Sequence, residues 1–213
     1  MRTIEKYLAI LNKKYGKIKG SAEKENSYEI LIATVISQRT KDETTEKICQ
    51  KLFKVCPTLS KLAKIPISKL EKILFGAGFY RQKAVALKQV ASILVKEFAG
   101  VVPNNLTDLL KLPKVGRKTA NCVLVYGYKI PAIPVDTHVQ RITNRLGWVK
   151  TKKPEETETS LEKVIPKKYW LTLNRVMVAF GKNQCLPINP KCSTCPLLPY
   201  CPFGQNRVKK LMA

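Results

Sequence analysis

The stretch Leu112-Pro113-Lys114-Val115-Gly116-Arg117-Lys118-Thr119-Ala120-Asn121 decides how this chain is read. A short helix starting at Thr107 must halt before Pro113, which lacks an N–H and clashes inside a helix. Gly116 relieves the turn, and a new helix starts at about Arg117. The first N–H groups of a helix have no intrahelical acceptor, so such a turn makes a natural seat for phosphate. Lys114 and Arg117 add charge to that seat, with Val115 and Gly116 between them. Lys118 falls in the first turn of the new helix, where the macrodipole disfavours a cation by a few tenths to ~1 kcal/mol. With Lys114 and Arg117 beside it, that penalty favours the neutral amine that nucleophilic lysine chemistry needs. An ordinary helix connection with solvated lysines has the same local pattern, so the turn alone does not decide the chemistry.

Downstream comes Val135-Asp136-Thr137-His138. Asp136 caps a helix predicted to run through about Leu146, with Gly147 as its stop. His138 is the only histidine and could donate a hydrogen bond near phosphate. Further on, Cys185, Cys192, Cys195 and Cys201 are spaced C-x6-C-x2-C-x5-C, among Pro187, Pro190, Pro196, Pro199 and Pro202. So many prolines exclude a regular helix or central strand. Four thiolates at this spacing suit an iron–sulfur cluster or a four-cysteine zinc site.

Lys and Arg total 39 against 15 Asp and Glu, a net charge of +24. A protein this basic most plausibly meets a polyanion, nucleic acid first. No apolar run reaches the length of about 18 residues that a membrane span needs. The N-terminal stretch, with Ile4, Tyr7, Leu8 and Leu11 at helical spacing, reads as a helix and not as a signal peptide. Cys49, Cys56 and Cys122 lie in apolar helical patterns and are expected as core thiols.

Residues 27–38 are apolar all round and predict a buried central helix. Helices follow over 41–54 and, from a Ser68-Lys69-Leu70-Glu71 capping box, up to Gly76. A long one covers 80–98, where Ala84, Leu87, Ala91, Leu94 and Phe98 share a face. A further helix spans about 167–180 and stops at Gly181. Residues 150–168 are part helix and part connector, and the IPAIPV run is demoted to loop by its two prolines. The expected class is all-α.

In this order and at this separation, LPKVGRKTAN, VDTHVQRI and the cysteine loop resemble the endonuclease III family of DNA glycosylases/AP lyases. Ser37-Gln38-Arg39-Thr40-Lys41-Asp42 and Gly78-Phe79-Tyr80 look like its other marked loops. The resemblance implies a two-lobed helix–hairpin–helix glycosylase fold. A six-helix bundle covers about 20–130 with the hairpin at 107–126, and an iron–sulfur cluster domain covers 1–19 and 131–213. It implies double-stranded DNA with damaged or abasic nucleotides as partner, lying across a cleft between the lobes, a monomeric state, and a cytoplasmic location with nucleoid DNA. The damaged base would be flipped out, since C1′ cannot be reached within the stack. Carried over, Lys118 is the catalytic lysine and Asp136 the essential carboxylate. The four cysteines hold a [4Fe-4S] cluster, and Lys191 on their loop faces phosphate. The implied activity is bifunctional removal of oxidised pyrimidines, with β-elimination through a lysine Schiff base.

Two departures stand out. Lys114 replaces the glycine usual in the family hairpin, and Arg39 replaces a glutamine wedge that fills the gap left by the flipped base. Arginine can fill, stack and donate there. Phe79 falls where the family inserts an apolar residue. It either stacks on bases or packs in the core beside Gly76 and Gly78. An adenine glycosylase fits less well, having a glutamate where this chain has Thr34. A mismatch uracil or thymine glycosylase carries tyrosine in place of Lys118. A non-catalytic DNA-binding module with a structural four-cysteine site would keep everything except the use of Lys118 with Asp136.

Overall fold

A computed structural model describes residues 2–16 and 26–212, and no strand occurs among them. The chain divides into two compact units, one of Ala22–Ile130 and one that joins Met1–Ser21 to Pro131–Ala213.

The second unit opens the chain with α1, Arg2–Tyr15, whose Tyr7, Leu8 and Leu11 are buried as the N-terminal spacing predicts, with Ile4 partly buried and Tyr15 buried as well. The first unit begins with α2, Ser27–Ser37, capped by the Asn26 side chain on the Glu29 N–H. Leu31, Ile32, Val35 and Ile36 are fully enclosed, so the apolar run is the central helix it reads as. After it come α3, Asp42–Val55, α4, Leu59–Lys64, α5, Ile67–Leu74, and α6, Tyr80–Glu97, of which α3 and α6 pack on α2. α6 packs on α4 and α5, closing a core of Leu62, Leu70, Leu74, Leu87, Val90 and Leu94. The short α7, Leu106–Leu110, and α8, Arg117–Cys122, form the hairpin, and α8 runs on into a π-helical turn, Val123–Gly127. Gly127 permits that turn to press against Ser27: a Cβ there would lie 3.1 Å from the Ser27 Cα.

In the second unit α9, Thr137–Arg145, and α10, Pro154–Val164, precede α11, Trp170–Asn183, and α12, Pro202–Met212. α11 packs on α1 and α9, with Phe180 edge-on to Tyr15 at 5.7 Å. Residues 129–136 are irregular, as their prolines require.

Three local expectations are corrected, and one further helix, α12, is found. The Ser68 capping box does not form. α5 starts two residues earlier, with Pro66 as N-cap, and Ser68 lies inside it. α7 is capped by the Asn105 side chain on the Asp108 N–H, not begun by Thr107. α11 passes through Gly181 to Asn183, because that glycine serves close packing and not termination. α12 follows directly on the cysteine loop, where Pro202 takes the helix start at which its missing N–H costs nothing. Cys49, Cys56 and Cys122 are buried, as expected of core thiols. Among the described residues no helix is long and apolar enough to cross a membrane.

Candidate functional site

In the unit Ala22–Ile130 three loops are wired to one another. The first is the turn after α2, where Arg39 adopts φ +52°. The second is the turn before α6, where Phe79 adopts φ +57°. The third is the hairpin, where Lys114 adopts φ +61°. Each is a left-handed conformation that costs a residue with a Cβ about 1–2 kcal/mol, so each must be held by its surroundings.

The clamp is Lys83, on the apolar face of α6 and only 4% exposed. Its Nζ donates to Ile36 O at 2.6 Å, Gln38 O at 2.5 Å and Thr40 Oγ1 at 2.8 Å. All three protons of an ammonium are thereby used. Burial lowers this amine from its ordinary 10.5 to about 8, so at neutral pH it stays mainly protonated. Thr40 Oγ1 also accepts from the Gly78 N–H at 3.2 Å. Gly78 lies so close to the Arg39 carbonyl that a Cβ would stand 2.3 Å from that oxygen. Gln38 completes the wiring, its Nε2 donating to Lys114 O at 3.0 Å and Thr119 Oγ1 at 3.4 Å.

The outcome is a surface of exposed cations and rings. The Arg39 guanidinium lies 5.5 Å over the Phe79 ring. Phe79 is 57% exposed, so the core-packing alternative fails. Lys114 and Gly116 are exposed, and Val115 is buried beneath them as the hairpin's anchor. Arg117 and Lys118 are half-buried at the start of α8, behind Gly116 as N-cap. Lys114 therefore occupies a glycine-type backbone position with a long cation, at the cost of strain.

The second unit holds the remaining candidates. Asp136 caps α9, its Oδ1 accepting from the His138 and Val139 N–H groups at 2.9 Å each. Its Oδ2 accepts from Asn174 Nδ2 at 3.4 Å, and that amide also donates to Pro134 O at 2.8 Å. The carboxylate is thus held in one orientation from both sides. His138 packs against Gly181, where a Cβ would fall 2.3 Å from its Nδ1, and the same Nδ1 lies 3.2 Å from Arg141 Nη2.

Cys185, Cys192, Cys195 and Cys201 all line one cavity, with Ile142, Leu146, Phe180 and Leu197 as apolar walls. Burial raises the Cys192, Cys195 and Cys201 thiols, Cys195 to about 11. Two arginines of α9 reach this loop. Arg141 Nη2 donates to Cys185 O at 2.9 Å. Arg145 Nη1 donates to Leu186 O at 2.7 Å and lies 3.4 Å from Cys185 Sγ, and its Nη2 donates to Pro187 O at 2.9 Å. Lys191 is exposed at the loop's surface.

Lys83, Gln38, Arg141 and Arg145 are the residues that sequence reasoning left aside. Lys83 carried a signal: with Ala86, Leu87 and Val90 it falls at i, i+3, i+4 and i+7 on a buried face. A lysine on such a face needs acceptors.

Residues 32–167 match the HhH-GPD superfamily of base excision DNA repair proteins, and the chain belongs to that family. Endonuclease III of Thermotoga maritima is 51% identical over 182 residues, covering 85% of each chain. A trapped endonuclease III–DNA covalent intermediate with an estranged adenine superposes with a TM-score of 0.90 at 35% identity, over 97% of this chain and 98% of that one. A non-covalent endonuclease III–DNA complex gives 0.91 at 34% identity, over 98% of both.

Replacing Lys83 with Met keeps the volume but strands three acceptors, and it is expected to lower Tm and loosen residues 36–40 in hydrogen exchange. The folded state holds this proton less tightly than the unfolded state, so between pH 8 and 10.5 the unfolded chain binds more protons. Lys83's contribution to stability therefore rises with pH across that window. The Tm deficit of Lys83→Met should be larger at pH 10 than at pH 7, and an unchanged deficit would contradict the assignment. Lys114→Gly relieves the left-handed strain and should stabilise by up to about 1 kcal/mol. The same variant should weaken DNA binding and lower the slope of log K against log[salt] by about one.

Proposed function

We propose that this chain is a bifunctional DNA glycosylase with AP lyase activity, acting on oxidised pyrimidines in double-stranded DNA as a monomer, in the cytoplasm with nucleoid DNA. The observation that carries this is a lysine at the start of the hairpin's second helix in a chain 51% identical to an endonuclease III. A mismatch glycosylase or a binding-only module gives that lysine no task.

Lys118 Nζ, as the neutral amine, attacks C1′ of the flipped nucleotide. The bond from C1′ to the base breaks, and the base leaves with the electron pair and takes up a proton. Opening of the sugar ring at O4′ gives an imine between Nζ and C1′. That imine acidifies the C2′ proton. A base removes that proton, the electron pair is held as the enamine, and its return forms C2′=C3′ as the C3′–O bond breaks and the 3′ phosphate leaves by β-elimination. Water then hydrolyses the imine and frees Lys118. Asp136, fixed by its cap bonds and by Asn174, stabilises the positive charge that develops on the sugar or takes the lysine's proton. Arg39 and Phe79 fill the space the base vacates. Lys114, Val115, Gly116 and Arg117 seat the backbone phosphates through N–H groups and charge. His138 and Lys191 add phosphate contacts.

The four cysteines are assigned to a [4Fe-4S] cluster. A zinc site brings four sulfurs to about 2.3 Å from one ion. Among the described residues no three His, Cys, Asp or Glu side chains converge to hold a single ion. A cluster spreads its cysteines over separate irons and asks that they surround one cavity, which they do. The Arg145 guanidinium beside Cys185 Sγ suits a thiolate ligand. When bound, the cluster supplies a rigid cross-link of the loop and a potential for electron exchange. No step of the lyase chemistry needs it.

Borohydride trapping on a duplex with one thymine glycol tests the nucleophile. The parent should form a covalent adduct and Lys118→Ala none, while Asp136→Asn should bind the duplex with strongly reduced trapping. A parent without an adduct there and on an abasic duplex removes Lys118 from its role. The cysteine assignment is checked by iron and acid-labile sulfide per chain. Arg145→Met should purify with less of both and lose the rest faster to a chelator, and parent-like retention would sink the Arg145 contact.

A further inference from the structure

The loop Phe75-Gly76-Ala77-Gly78-Phe79 raises two aromatic rings into solvent, although only Phe79 has a task in the function proposed above. Phe75 is 72% exposed, more than Phe79 itself. Ala77 between them is buried and pins the loop, and Gly76 at φ +95° makes the bend that turns Phe75 outward. The Phe75 ring stands edge-on to Tyr80, with centroids 5.5 Å apart and planes at 76°. The Arg81 guanidinium lies 5.2 Å over Tyr80, as Arg39 lies over Phe79. Three rings are therefore gathered in one loop and the first turn of α6, with Arg81 on that turn and Arg39 reaching in from the turn after α2, and residues 75–83 contain no acidic side chain.

A bare apolar face would suit a protein partner. Rings bordered by guanidinium groups suit a ligand with π-faces strung on a phosphate chain. Phe75 is already held by Tyr80, so little rotamer freedom is lost when a base stacks on it.

We propose that Phe75, braced by Tyr80 and flanked by Arg81, is a second base-stacking residue beside Phe79, taking the π-face of an unpaired nucleobase at the lesion. The inference rests on the glycosylase reading, since it needs DNA with a base out of its pair.

The test compares Kd for a duplex carrying one tetrahydrofuran abasic analogue with Kd for the intact duplex of the same sequence. Phe75→Ala should lose about tenfold on the analogue duplex and nothing on the intact one. Phe75→Trp should restore binding, and Phe75→Leu, which keeps apolar bulk without the ring, should not. The side chain is exposed, so these variants fold. Equal Kd for the parent and Phe75→Ala, an equal loss on both duplexes, or full rescue by Leu overturns the proposal. A selective parent matched by Phe75→Ala sinks this inference alone. A parent with no preference for the analogue sinks it together with the function proposed above.

Discussion

The Lys83 ammonium sits inside the unit Ala22–Ile130 without a carboxylate, satisfied by two backbone carbonyls and the Thr40 hydroxyl. Desolvating a charge is costly, and only full hydrogen bonding makes it tolerable. Because the three acceptors all belong to residues 36–40, the cost of burying the amine becomes a constraint on that loop. The loop in turn fixes Gly78 through Thr40 and the hairpin through Gln38. Three left-handed residues, Arg39, Phe79 and Lys114, are thus held by one connected set of hydrogen bonds. Such a set resists the entropy that would otherwise blur a surface meant to meet DNA.

α9 plays the corresponding part in the other unit. Its first turn orients Asp136, and its last two turns carry Arg141 and Arg145 into the cysteine loop. Disturbance of the loop is felt by a rigid helix whose N-terminus is the Asp136 cap. On the proposed assignment, a cluster held by that loop would support the orientation of the carboxylate through α9 without taking part in the reaction. Gly181 belongs to the same device, since no side chain would fit between α11 and the His138 ring.

The charge of +24 gives long-range attraction for a polyanion, but attraction alone does not select a lesion. In the function proposed here, selection falls to the rings and guanidinium groups on the 39 and 75–81 loops. Here the chain uses larger groups than its family pattern leads one to expect, arginine for glutamine and lysine for glycine. Each gains reach and charge and accepts backbone strain, and the hydrogen bond from Gln38 to the Lys114 carbonyl shows where that strain is offset.

Most helices, the hairpin and the cysteine loop were legible in the chain itself, whereas α4 and α12 were not. Periodicity, Pro113, the Asp136 cap and the spacing of four cysteines act over a few residues, and local forces are written locally. Where competing local signals existed, neighbours decided. The Ser68 box yielded to a start behind Pro66, and Gly181 became a packing position inside α11. Lys118 and Asp136 stood out by motif and order. Lys83 showed only by its place on the apolar face of α6, and which acceptors it meets was hidden because they lie at the end of another helix. Phe79 read as either a stacking or a core residue, and only the tertiary structure turned it and Phe75 outward, around Gly76 and Gly78. Sequence by itself determined which elements exist and which chemistry they carry, because backbone preference and ligand spacing are short-range. Tertiary structure alone decided which side chains are spent on holding the loops and which are left to meet DNA, because burial and hydrogen-bond satisfaction depend on residues far apart in the chain.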